Sequence, residues 1–283
     1  MAWARGDAAK LNTTSATVIT GGVNAQNLTI QQRLNYQGAQ VGADCGVLNI
    51  MGSGWNTHFG VTGGQVDANI TRTDGPGTAD ITVPFVGGYI FATNGAFTFD
   101  VSAQRQFQDI VLNNAAAGLN RTNVSGVTDS LQGVAAYKFS LFENFYLTPA
   151  AGLNWLETTL DDFRTTGAAA GVVSSGTNHS LIGRLGIQAA YVIPVSSAFV
   201  LQPFAGISTW RNFQNDSHVN YAGVGGGTNL AAITSSARDF RQYATGVAFS
   251  APTLNMVGYL QGTWRDGNDI SGATVTGGGR INF

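Results

Sequence analysis

The feature that most restricts this chain is a period of two that recurs along most of its length. Phe97 to Phe107 is the clearest case. Phe97, Phe99, Val101 and Ala103 alternate there with Thr98, Asp100, Ser102 and Gln104. Successive side chains of a strand point to opposite faces, so such a segment is a strand with one apolar and one polar face. The final stretch repeats the pattern. Val275, Gly277, Gly279, Ile281 and Phe283 share one parity, and Thr276, Gly278, Arg280 and Asn282 share the other.

Twelve segments read this way: Met1 to Ala9, Tyr36 to Leu48, Trp55 to Ile70, Ile81 to Phe91, Phe97 to Phe107, Leu131 to Leu141, Phe145 to Thr158, Ser180 to Ile193, Phe199 to Arg211, Arg238 to Ser250, Leu254 to Arg265 and Ile270 to Phe283. Polar connections rich in Asn, Thr and Gly are expected to be long after the odd strands, for example Leu11 to Arg33. They are expected to be short after the even ones, where Asn49 to Gly54 and Thr93-Asn94-Gly95 are turn signals. The last connection, Asp266 to Asp269, is short against that pattern. Pro84 cannot donate to a ladder, so irregularity is expected around it.

Alternation does not say whether the apolar faces meet a protein core or lipid. Three features favour lipid. Segments of this length suit a tilted membrane-spanning strand better than a soluble one. Aromatic residues (Trp55, Tyr89 with Phe91, Phe97, Trp155, Tyr191, Phe199, Trp264 and Phe283) fall toward the ends of the apolar faces, where interfacial girdles belong. The charges fall on the other parity. On this reading Asp44, His58, Asp100, Lys138, Arg184, Arg265 and Arg280 line the interior of an all-β, 12-stranded antiparallel transmembrane β-barrel. Charged residues make up 11% of the 283 residues and apolar ones 43%. That combination does not suit disorder. No apolar run is long enough for a membrane helix.

Several chemistries are set aside. The net charge of −2 gives no footprint for nucleic acid. His58, His179 and His218 are scattered, the latter two in expected loops, and Cys45 is a lone cysteine, so no metal centre is expected. There is no nucleophile elbow, and the Gly225 to Gly227 run lacks the lysine of a phosphate loop, so neither enzyme activity nor a cofactor is expected. Arg5-Gly6-Asp7 is a tripeptide that recurs by chance and lies on an expected strand, so it is not read as an adhesion motif. Glycines on the polar faces (Gly42, Gly60, Gly64, Gly88, Gly186, Gly206, Gly246) are expected to remove bulk from the lumen or to relieve curvature strain.

An ordered set of short motifs adds a resemblance. Trp3-Ala4-Arg5-Gly6, Tyr36 to Asp44, Gly87-Gly88-Tyr89, Phe97-Thr98-Phe99-Asp100, Gly183-Arg184-Leu185-Gly186, Leu201 to Gly206 and the closing GGGRINF resemble the carboxy-terminal translocator domain of a bacterial autotransporter. The resemblance implies a barrel in the outer membrane of a Gram-negative bacterium that helps export an amino-terminal passenger by type V secretion. It implies membrane lipid, the passenger segment and the barrel-assembly machinery as partners, and a monomer. It also implies that Val275, Ile281 and Phe283 act as an assembly signal. The first residues contain no apolar export segment, so residues 1–283 read as one barrel domain of a longer precursor, with passenger and pore helix outside it. The family's cleavage residues lie on that helix, so none is assigned. A stand-alone porin-like channel, or an adhesin acting through its loops, is the alternative.

Overall fold

The computed structural model describes residues 1–21, 25–214, 216–224, 229–235 and 239–282. Phe283, Arg238 and the Gly225 to Gly227 run lie outside the described residues.

Twelve strands form the barrel. They are β1 (Ala2–Thr20), β2 (Gln26–Val47), β3 (Asn56–Arg72), β4 (Thr78–Asn94), β5 (Phe97–Asn114) and β6 (Leu119–Tyr137, prolonged by Phe139–Phe142). The second half is β7 (Phe145–Leu160), β8 (Thr177–Tyr191, prolonged by Ile193–Ser196), β9 (Phe199–Gln214), β10 (Asp239–Ala251), β11 (Met256–Gly267) and β12 (Ile270–Ile281). Each pairs antiparallel with the next, and β12 pairs with β1 from Ala2↔Ile281 to Thr13↔Ile270. Closure leaves no free edge, which a sheet in hydrocarbon requires.

Both chain ends and the tight turns sit at one end, here the inner end. Asn94 pairs with Phe97 around Gly95-Ala96, and Phe142 pairs with Phe145 around Glu143-Asn144. Gly95 and Asn144 take left-handed φ values of 58° and 64°, which Gly and Asn tolerate best. Around Pro84 the β4–β5 pairing lapses between Thr82 and Phe85 and then resumes in the same register. This is the irregularity expected of a residue without an N–H.

The expected long loops are largely strand. β1 runs on to Thr20 and β2 begins at Gln26, so most of Leu11 to Arg33 is hairpin. β5 and β6 likewise extend to Asn114 and from Leu119. Beyond the membrane both faces of a strand meet water or other loops, so the backbone ladder continues without any alternation in hydropathy. Two outer connections carry hairpins of their own, Phe163–Thr165 with Gly171–Ser174 and Asp216–Gly223 with Asn229–Ser235. Asn229–Ser235 pairs with the β1 extension from Ala16↔Ser235 to Thr20↔Ala231, and Gly171 pairs with Gly223. The backbone N–H of Thr166 donates to Gly118 O at 3.0 Å. These hairpins bridge β1 to the start of β6 above the barrel. His179 and His218 are on strand, not in loop, within Thr177–Tyr191 and Asp216–Gly223.

Register assigns the two faces. Val41, Val61, Leu185 and Leu260 point outward and are 61%, 67%, 63% and 57% exposed. No large side chain among the described residues is fully buried. A wall one sheet thick with large apolar residues outside and no protein core is a lipid-facing surface. Toward its outer limit the outward positions turn polar, at Lys10, Gln37, Gln65, Arg105, Asp129, Glu157, His179, Arg211, Arg241 and Asp266, with the exposed rings of Phe107 and Phe213 just beyond. From Phe97 at the inner end to Arg105 are eight residue steps, which a strand tilted about 40° turns into a band about 20 Å tall. A cross-strand ion pair holds this rim, Arg105 Nη2 to Asp129 Oδ2 at 2.6 Å, and His179 Nδ1 lies 3.4 Å from Glu157 Oε2 beside it.

One face assignment is corrected. Phe85, Tyr89 and Phe91 of β4 point into the lumen, and Val86 and Ile90 point to lipid. Apolar residues occupy both parities of β4, so hydropathy alone does not orient it. Tyr89 and Phe91 are therefore not girdle residues, and Gly88 is outward. Trp55 and Phe97 do meet at the inner end, edge to face with centroids 5.9 Å apart.

Candidate functional site

The lumen is a large concave feature of the barrel. A cavity of about 830 Å³ runs up from the inner end. Its polar lining is mainly neutral amide, with Gln40, Gln104, Gln132, Gln188, Gln202 and Gln261 contributed by six strands around the wall. Aromatic rings lie among them: Trp3, Tyr89, Phe91, Phe204 and Tyr259.

Glycines seat these rings. A Cβ on Gly42 would lie 2.5 Å from Trp3, and one on Gly60 would collide with Tyr89. Gly64 beneath Phe85, Gly246 beneath Phe204 and Gly278 beneath Tyr259 repeat the arrangement. Each ring lies flat across a neighbouring strand that has no side chain there. The lumen glycines thus admit rings that fill space, rather than simply widening the bore.

At the inner end Asp44 organises a charged cluster. Its side chain is 0% exposed. Arg280 Nη2 donates to Asp44 Oδ1 at 2.7 Å, and the Tyr89 hydroxyl donates to Asp44 Oδ2 at 2.7 Å. Trp3 Nε1 in turn donates to the Tyr89 oxygen at 2.5 Å. His58 Nδ1 lies 3.3 Å from both Asp44 Oδ1 and Arg280 Nη2. The cluster joins β1, β2, β3, β4 and β12. A buried carboxylate with a guanidinium and a hydroxyl on its two oxygens has its charge and lone pairs satisfied, as burial demands. It therefore also locks the β12–β1 closure.

The other charges expected in the lumen sit apart from this cluster. Asp100 lines the cavity on β5. Lys138 stands at the inner rim, where β6 is interrupted, exposed and with Nζ 4.4 Å from the Tyr146 ring centroid. Arg184 and Arg265 are on the lumen parity of β8 and β11 and rest on aromatic rings. Val275 and Ile281 point outward, 54% and 53% exposed. No group of His, Cys, Asp and Glu among the described residues could hold a metal ion. The Gly–ring pairs and the role of Tyr89 were missed from sequence. The signal for both was the two-residue turn at Gly95-Ala96, which fixes the β4–β5 register.

A closed barrel of twelve strands with a lipid-facing band, tight inner turns and a polar lumen is the architecture that comparison with known proteins returns. No curated protein matches the sequence. Among solved structures, the beta domain of the Bordetella autotransporter BrkA superposes with a TM-score of 0.73 at 17% identity, covering 98% of this chain and 99% of that one. The transport unit of AIDA-I from Escherichia coli gives 0.73 at 16% identity, covering 100% and 90%. The translocator domain of NalP from Neisseria meningitidis gives 0.63 at 16%, covering 98% and 89%. These likenesses establish the fold. The model of the autotransporter beta-domain matches residues 2–261, nearly the whole barrel. The chain accordingly belongs to the autotransporter beta-domain family, and is an outer-membrane translocator barrel for passenger export.

Proposed function

We propose that residues 1–283 work as a single transport unit, without enzyme activity of their own, and that an amino-terminal passenger crosses the outer membrane through the glutamine-lined lumen. The observation that carries this is the chemistry of the wall. A ring of neutral amides offers donors and acceptors to any polypeptide backbone without selecting for charge. The strongest charges at the inner end are already paired, in Asp44 with Arg280. A segment entering there meets aromatic faces and amides beside that paired cluster. Asp44, His58, Asp100, Lys138, Arg184, Arg265 and Arg280, with Arg5 of the cavity lining, are among the ionisable groups it would pass.

In the same reading the barrel is a monomer in lipid. Its closing strand, through outward Val275 and Ile281 and the terminal Phe283, addresses it to the barrel-assembly machinery. The test is to fuse a reporter passenger upstream of Met1 and score its cleavage by protease added to intact cells. Surface exposure that is lost in a Phe283→Ser variant, with synthesis unchanged, is the expected result. A barrel that assembles and conducts ions while the reporter stays inside would instead make it a stand-alone channel.

A further inference from the structure

The lumen parity of the spanning strands carries Arg5, Arg184, Arg265 and Arg280. Arg280 is neutralised by Asp44. Arg184 and Arg265 are not. No carboxylate among the described residues comes within 4.0 Å of either. Both instead bracket an aromatic plate on the wall made by β8, β9, β10 and β11. Arg184 Cζ lies 5.2 Å from the Trp210 ring centroid. Trp210 stacks on Phe240, with centroids 5.6 Å apart and planes inclined by 10°. Arg265 Cζ lies 6.0 Å from the Phe240 ring. Trp210 is held by its Nε1 donating to Ser208 Oγ at 3.1 Å, and Arg265 Nε reaches Gln242 Oε1 at 3.3 Å.

Such stacking orients a guanidinium and offsets part of its desolvation, but leaves its in-plane N–H groups free. Arg184 Nε is buried with no hydrogen-bond partner among the described residues, as is Arg280 Nε, and Arg184, unlike Arg280, also has no carboxylate within reach. On its other flank Arg184 is paired in register with Gly152, over which the apolar Val134 side chain rests, so that neighbour offers it no acceptor side chain. A buried, unpartnered cationic donor is energetically unfavourable unless something completes it.

We infer that the Arg184–Trp210–Phe240–Arg265 stack is an oxyanion-binding site on the lumen wall, which takes a carboxylate or phosphate group on the guanidinium edge of Arg184 with Arg265 adding attraction from the far end of the stack. The ligand chemistry is shared by two sources, a free anion in the lumen and an acidic side chain of a polypeptide inside it. The site stands on the geometry of this barrel alone and does not depend on passenger export.

The experiment uses the full chain refolded in detergent, with heat-modifiable migration to confirm that each variant is folded. Inorganic pyrophosphate is titrated by calorimetry. A capped peptide with one Glu, and the same peptide with Gln in its place, are titrated in parallel. Saturable pyrophosphate binding is expected. It should weaken about tenfold or more in Arg184→Gln, since a bidentate charged contact is lost. It should weaken less in Arg265→Gln and stay unchanged in Arg105→Gln, whose guanidinium is on the lipid side. Binding of the Glu peptide but not the Gln peptide, lost in Arg184→Gln, would place the source in polypeptide. Binding of pyrophosphate alone would place it in free anions. If neither anion binds, or if Arg184→Gln binds both as the parent does, the site does not exist.

Discussion

Asp44→Ala is the most informative single substitution in the barrel. Two bonds to a charged acceptor disappear together, from Arg280 Nη2 and from the Tyr89 hydroxyl, each 2.7 Å long. Bonds of this kind contribute about 1.5–3 kcal/mol each. The sum is tempered because the Arg280 side chain is 28% exposed and recovers some hydration. A loss of about 3–5 kcal/mol follows, as for other buried pairs broken from one side. Most of it is the cost of an orphaned guanidinium, so Asp44→Ala combined with Arg280→Met should recover a large part. The assay is guanidinium unfolding of vesicle-reconstituted barrel, followed by tryptophan emission and heat-modifiable migration. An Asp44→Ala loss below about 0.5 kcal/mol, within the range of an ordinary surface change, would refute the reasoning. So would a double variant no more stable than the single one.

Three further outcomes follow from named contacts. Gly60→Ala drives a methyl into the Tyr89 ring and should cost about 1–3 kcal/mol in the same unfolding assay, but little further when it is introduced into a Tyr89→Ala background, where the ring is already gone. Leu260→Arg places a charge at mid-height on the lipid face and should cost about 2–4 kcal/mol, whereas Gln261→Arg, one residue on and facing the lumen, should leave stability nearly unchanged. In the outer turn, the Arg72 guanidinium and the Gln31 amide hold the Asp74 carboxyl below its usual range. The stabilisation is therefore present above the ordinary carboxylate pKa and fades as pH falls through the lowered folded value. The protection of the Gln31 amide, its exchange rate compared with the intrinsic rate at each pH, should fall on acidification, and Asp74→Asn should abolish that change in protection.

The membrane-spanning part of the fold was legible because lipid and lumen impose opposite demands on alternate residues. Phe97 to Ala103 and Leu254 to Trp264 show this directly. Where both faces meet similar surroundings, the signal vanishes. The outer halves of β1 and β2 alternate nothing that hydropathy can detect, and read as loop although Thr13↔Gln32 through Ile19↔Gln26 are paired in the ladder. β4 failed for a different reason. Its lumen residues are rings seated on glycines of β3, so the lumen face is as apolar as the lipid face. Register decides where hydropathy does not: Asn94↔Phe97 places Tyr89 opposite Ser102 and Phe91 opposite Asp100 on the polar face of β5. The lumen charges were identifiable by parity, but their partners were not. Asp44 and Arg280 are distant in sequence and meet only because β12 closes on β1.

The central claim, that a passenger passes through this lumen, is tested most directly by photocrosslinking from neighbouring positions of β6. A photoreactive residue is placed at Gln132, which lines the cavity, or at Leu131, which is 48% exposed on the lipid side, and a passenger is stalled in transit. The account predicts passenger adducts from Gln132 and lipid adducts from Leu131. Passenger adducts from Leu131 with none from Gln132 would contradict it.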